Sequence, residues 1–127
     1  MGKKPEYKIS KSEKDGILEL VFKGEVEKDS VGELYKKVYD LTKSTNVNNV
    51  LIDIRALRGR FGYTEAYFRV RNYPSDIFKI NTACVDLAEH ADYQNFHENT
   101  SVNAGLSFKW FTDVYKARIW LKSLSKI

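Results

Sequence analysis

The run "VLIDI", residues 50–54, is apolar at every position except Asp53. Successive side chains of an extended chain point to opposite faces. A strand made of this run therefore has to be covered on both sides, as the central strands of mainly parallel sheets are. Burying such a strand takes helices as well as neighbouring strands, and the rest of the chain supplies both in alternation.

Before the run, "YKISK" (7–11) and "ILELVFKG" (17–24) flank Asp15-Gly16, a tight-hairpin dipeptide. Leu18, Leu20 and Phe22 alternate with Glu19, Val21 and Lys23, the pattern of a strand with one better-buried face. Ser30 and Glu33 form a capping box. Behind it, Val31, Leu34, Tyr35, Val38, Leu41 and Thr42 keep helical spacing until "NVNN" (46–49) stops the helix. After the central run, Thr64 caps a helix carrying Ala66, Tyr67, Val70 and Arg71, which ends before Pro74. "INTACVDL" (80–87) reads as a fourth strand, and "ADYQNFHENTSVNAG" (91–105) as a helix with Gly105 just past its end. "LSFKWF" (106–111) is a fifth strand. Thr112 or Asp113 caps a last helix whose Val114, Ala117, Leu121 and Leu124 make one stripe, flanked by Trp120. The order β-β-α-β-α-β-α-β-α predicts an α/β fold. Its five-stranded sheet is mostly parallel, with right-handed crossovers and an antiparallel N-terminal strand at or near an edge. Residues 1–6 read as a flexible tail and 7–127 as a single domain.

Composition narrows the function classes. The 127 residues are enough for one real core, and 43% hydrophobic with 30% charged residues is a globular balance. No apolar run approaches the roughly 18 residues that span a membrane. The start, "MGKKPEYKIS", lacks the apolar stretch of a secretory leader. The single Cys84 cannot form an internal disulfide, so a reducing cytoplasm is the expected compartment. A net charge of +4, from 21 basic and 17 acidic residues, is mild and argues against nucleic acid as the partner.

The segment "FHENTSVNAGLSFKWFTDVYKARIWL" (96–121) resembles the SpoIIAA-like group of STAS-type domains, especially its small stand-alone bacterial members. The likeness rests on Phe96, Glu98, Asn103, Gly105, Phe111, Asp113, Ala117, Trp120 and Leu121. The chain departs from the pattern where Asn99 separates Glu98 from Thr100. The resemblance implies an αβ sandwich with helices mostly on one side of the sheet. It implies a non-catalytic role in protein–protein regulation, or, in a related reading, a groove for a small amphiphile like that of CRAL-TRIO lipid-binding domains. In anti-sigma factor antagonists of this group, a Ser or Thr in an Asp-Ser-x-Gly-like turn after the third strand is phosphorylated. Here that turn reads "LRGRFGYTEA" (57–66) and the Asp-Ser pair is missing. Thr64 is the nearest hydroxyl, and its capping role competes with a phospho-switch.

The stretch 55–74 holds five of the six arginines, five aromatic residues and one acid, Glu65. Arg55, Arg58 and Arg60 fall near the carboxyl end of the central strand and before a helix N-terminus, where open α/β sheets bind ligands and anions. Arg58, Arg60, Phe61, Tyr63 and Tyr67 are the candidate contact surface. It would serve a protein partner, since Tyr and Arg are enriched at interfaces. Alternatively, it would serve an acidic amphiphile, with arginines on its head group and aromatics along its tail. A homodimer is expected, with no cofactor and no enzymatic activity. Cys84 reads as a core residue. His90 and His97 are seven residues apart, about 10 Å along one helix, too far to share a metal ion. Asp53 and Asp86 lie near the ends of strands that can neighbour each other. They form a conceivable acid–base pair, with no nucleophile or oxyanion hole beside them.

Overall fold

The structure, a computed structural model, describes residues 7–26, 31–59 and 79–124. The opening hairpin follows from its turn. Asp15 and Gly16 both take positive φ, 56° and 76°, the type I′ geometry that matches strand twist. Strands β1 (Tyr7–Lys14) and β2 (Ile17–Glu25) pair antiparallel from Lys14 opposite Ile17 to Tyr7 opposite Gly24. Then come α1 (Val31–Thr45), β3 (Asn49–Arg58), β4 (Asn81–Val85), a 3₁₀ turn (Ala88–His90), α2 (Ala91–Asn103), β5 (Ser107–Phe111) and α3 (Val114–Leu124). The sheet has the order β1-β2-β3-β4-β5, with β1 antiparallel at an edge and β2 to β5 parallel. The Ser30 cap and the helix expected from Thr64 lie outside the described residues.

This sequential order explains the layers. The two crossovers whose helices are described, β2 to β3 and β4 to β5, each step one strand in the same direction, so right-handed crossovers put both helices on one face. Helices α1 and α2 do share a face and meet where the Tyr35 hydroxyl lies 3.3 Å from His97 Nε2. Helix α3 follows the last strand, makes no crossover, and packs on the opposite face. The apolar pattern divides accordingly. Leu18, Leu20, Phe22, Val50 and Leu57 pack with Leu34, Tyr35, Val38 and Leu41 of α1. Ile17, Leu51, Ala83 and Val85 pack with Ala117 and Leu121 of α3, with Phe111, Val114 and Trp120 alongside. Full burial of such side chains is worth about 1.5–3 kcal/mol each, and Leu18, Leu20, Phe22, Leu51 and Leu121 have no exposed surface.

The ends of the elements carry the signals read from the sequence. Asn46, at φ 57°, terminates α1 in the left-handed conformation. Gly105, at φ 94°, ends α2: its N–H donates to the Val102 carbonyl, and the Leu106 N–H donates to that of Ser101. These two bonds make a Schellman cap. Asp113 rather than Thr112 caps α3, its Oδ1 accepting from the Tyr115 N–H at 2.7 Å.

Two strands differ in length from the sequence reading. The fourth is shorter, because Asp86 and Leu87 leave it, although the Asp86 N–H still donates to the Phe111 carbonyl at 3.0 Å. The third is longer and runs through "RALR" to Arg58. Between the pairs Val21–Asp53 and Lys23–Ala56, β3 carries one more residue than β2. This bulge lets the pairing continue past Arg55 and returns Leu57 to the α1 face.

Gly59 closes that end of the sheet. The Val26 N–H donates to the Arg58 carbonyl at 3.0 Å, and a Cβ at position 59 would stand 2.5 Å from the Val26 carbonyl oxygen. With φ at +98°, position 59 is also strained for any side chain. Gly59→Ala is expected to lower the unfolding free energy by about 2 kcal/mol, read as an earlier midpoint in urea. An unchanged midpoint would contradict the close approach.

Candidate functional site

The carboxyl ends of β2 and β3 carry the charged residues that the sequence singled out. Asp53 is buried on the α3 face and clamped by Arg55. The guanidinium donates from Nε to Oδ1 at 3.0 Å and from Nη2 to Oδ2 at 2.8 Å, and the Arg55 N–H adds a third bond to Oδ1 at 3.1 Å. These hydrogen bonds raise the already high pKa of Arg55. Arg55 is therefore the counter-ion of a buried carboxylate. Arg58 differs: it is the last residue of β3 rather than part of a loop, its side chain is 75% exposed, and its ion-pair partner among the described residues is Glu25 at 3.9 Å. Of the candidate contact residues, Arg58 is described, whereas Arg60, Phe61, Tyr63 and Tyr67 lie outside the described residues, as does Thr64.

The same face of β1 and β2 shows a feature that the sequence reading missed. Lys8 stands directly opposite Lys23, and both are exposed. A two-residue Asp15-Gly16 turn fixes that pairing in advance, so counting back along the hairpin would have found it. Helix α3 covers only part of this face. Arg118 reaches Glu19 with a charged hydrogen bond, and Lys122 lies 3.4 Å from Asp15. Beyond Glu19 the face is open, with Ser10, Lys23, Ala56 and Arg58 all exposed.

The proposed carboxylate pair does not form. β3 and β4 are neighbours, but Asp53 pairs in register with Val85, so the next residue, Asp86, points to the other face. There Asp86, fully buried, accepts from the Leu87 N–H at 2.7 Å and from Gln94 Nε2 of α2 at 2.8 Å. Alternation separates two aspartates that lie close along the strand ends.

Helix α2 buries polar side chains, Gln94, His97, Thr100 and Ser101, against the sheet and α1. Asn95 and Glu98 secure the edge strand. Glu98 Oε1 accepts from the Trp110 N–H at 2.9 Å, and Asn95 Oδ1 from Trp110 Nε1 at 2.8 Å. These bonds satisfy a donor that an edge strand would otherwise leave to solvent or to another chain. Of the residues carrying the family resemblance, Glu98, Gly105, Asp113, Ala117 and Leu121 thus cap or pack rather than react. His90 precedes α2, and His97 is buried within it beside the Phe108 ring, whose centroid is 4.8 Å away. Among the described residues no group of three or more His, Cys, Asp or Glu side chains could hold a metal ion. Cys84 is buried in β4. A polar depression of about 130 Å³ lies at the opposite end of the sheet, between the C-terminus of α1 and Ile80. It is small beside the roughly 300–1,000 Å³ of ligand pockets. No helix among the described residues is long and apolar enough to cross a membrane.

With this geometry the chain can be set beside known proteins. No family model matches it, and no curated protein does. Among solved structures it is similar to an anti-sigma factor antagonist from Mycobacterium paratuberculosis, at 12% identity and a TM-score of 0.62, over 92% of this chain and 95% of that one. It is also similar to an uncharacterized protein with a SpoIIAA-like fold from Shewanella loihica PV-4, at 16% identity and a TM-score of 0.58, over 95% of this chain and 98% of that one. The chain has the SpoIIAA-like, STAS-type α/β fold, with its mixed five-stranded sheet.

Burial makes His97 a reporter of the α1–α2 contact. Desolvation pushes its pKa down from 6.5 to about 4, and Nδ1 has no hydrogen-bond partner. The folded value lies below the unfolded one, so the unfolded chain takes up the proton first as pH falls. The stabilisation is complete above the unfolded pKa and is lost as pH drops toward 4, by on the order of 2 kcal/mol between pH 7 and pH 5. His97→Gln is expected to flatten that part of the stability profile, measured by urea unfolding at each pH. An equally steep profile in the variant would place the titration elsewhere.

Proposed function

We propose that this protein is a non-enzymatic, STAS-type regulatory domain that works by binding another protein, as a homodimer in the cytoplasm. The observation that carries the reading is the likeness to an anti-sigma factor antagonist over nearly the whole of both chains. The chemistry at the strand ends supports it. Asp53 is occupied by Arg55, Asp86 by Leu87 and Gln94, and His97 is buried and held neutral. The groups suited to acid–base work therefore hold the fold together, while the exposed Arg58 faces solvent at the end of β3.

The contact surface centres on Arg58 and continues through Arg60, Phe61, Tyr63 and Tyr67. Arg side chains bring forked hydrogen bonding to such a surface, and the aromatics bring rigid apolar area. Thr64, within the same stretch, is the one candidate for a phospho-switch, and its phosphorylation would place negative charge among these arginines. The second reading, a groove for an acidic amphiphile, requires several hundred Å³ beneath residues 58–68.

The pair Arg58→Ala and Arg60→Ala is expected to reduce capture of the protein partner about tenfold or more in a pull-down. The circular dichroism spectrum and urea midpoint should stay those of the parent, because Arg58 is exposed and its ion pair is long. Undiminished capture by a folded double variant would remove this surface from the account.

A further inference from the structure

The hairpin register sets two lysines against each other where nothing in the fold requires it. Lys8 and Lys23 are cross-strand partners on the face shared with Val21, Asp53 and Val85. Opposed Cβ atoms stand about 5 Å apart, and like charges in that position are destabilising. Neither lysine has a carboxylate within salt-bridge reach among the described residues. Lysines on an edge strand discourage strand-to-strand association, which accounts for Lys8. It does not account for Lys23, because β2 is an inner strand. Next to Lys23 stands Ala56, whose short side chain leaves the surface open, and two positions further along β3 stands Arg58.

From this juxtaposition we infer that the open sheet face formed by Lys8, Lys23 and Arg58 docks an acidic, extended segment of a protein partner. The inference rests on the interaction-domain reading and specifies the partner's chemistry. Three cations lie across three adjacent strands, about 12 Å from first to last for two strand spacings across and two residues along. Two carboxylates, Glu25 and Asp53, lie at the same strand ends. A nucleic acid carries a charge on every nucleotide and would bring phosphates against Glu25 as well as against the lysines. A polypeptide can put acids opposite the lysines and a neutral residue opposite Glu25. The exposed face offers Ser10 and Ala56 between the charges, and Tyr7 lies on the other face, so among the described residues no aromatic ring of this patch is placed to stack on a base. The three cations of the patch among the described residues also fall short of the four to eight basic residues that typically hold a segment to an anionic membrane. An opposing acidic segment would relieve the Lys8–Lys23 repulsion, so stability and binding pull in opposite directions at Lys23.

The test is an amide NMR titration of the full chain at low ionic strength. The probes are a short peptide of alternating Glu and Ser, a uridine oligonucleotide, and vesicles of phosphatidylserine and phosphatidylcholine. The peptide is expected to shift the amides of Lys8, Ser10, Lys23 and Arg58 saturably, and more strongly than either other probe. Lys23→Thr keeps a strand-forming residue and is expected to weaken the peptide about threefold while raising the melting temperature. No saturable shift, a response as strong to the oligonucleotide or the vesicles, or unchanged peptide affinity in Lys23→Thr would each overturn the inference. If the Arg58 and Arg60 double variant still lost its partner in that case, the interaction-domain reading would stand and only the sheet face would fall.

Discussion

Leu51 is buried under α3 and its neighbour Val50 lies on the α1 side. The central strand thus demands cover on both faces, and the sheet arranges itself around that demand. Sequential strand order sends the two described crossover helices, α1 and α2, to one face, which leaves the other face to the only described helix that follows the last strand. That single helix, α3, spans part of a five-stranded sheet. Its polar flank stops at Glu19 and Asp15 through Arg118 and Lys122, and the outer part of β1 and β2 stays uncovered. Among the described residues the open cationic face is therefore a consequence of topology: the one described helix on that side cannot roof five strands.

The polar groups within the fold are spent with equal economy. An aspartate at the end of each of two neighbouring strands could have made a reactive pair, but strand alternation turns one toward each face. Asp53 takes a forked guanidinium, and Asp86 takes a backbone N–H and the Gln94 amide. Helix α2 buries a polar stripe, and its Glu98 and Asn95 hold the edge strand through Trp110. A buried histidine in the same helix stays neutral because no counter-ion offsets its desolvation. Such groups specify how the elements seat against one another, which leaves recognition to the surface.

Much of this was legible in the sequence because local rules dictate it. Asp15-Gly16 signalled a hairpin turn, the alternation of Leu18, Leu20 and Phe22 marked the buried side of β2, Gly105 marked a helix end, and Thr112 or Asp113 marked a helix start that the structure assigns to Asp113. What escaped was non-local. "RALR" looks like a loop because its charges break the apolar run, yet a bulge carries it into the sheet and moves Arg58 onto a strand. The facing of Asp53 and Asp86 depends on register between β3 and β4, which no local pattern encodes. The burial of Gln94, Thr100 and Ser101 was invisible because helical periodicity in α2 is polar on its covered side. The Lys8–Lys23 opposition follows from counting back from the turn, although each lysine alone is an ordinary surface residue. Of the candidate surface, Arg58 is placed, and its companions from Arg60 to Tyr67 lie beyond the described residues.

Whether the surface meets a protein or cradles an amphiphile is the point on which the functional account turns. Native mass spectrometry of the protein purified without added ligand addresses it most directly. The account predicts the mass of two bare polypeptides and nothing more. A constant extra mass on each subunit, released under denaturing conditions, would contradict it and show that the fold encloses a small molecule.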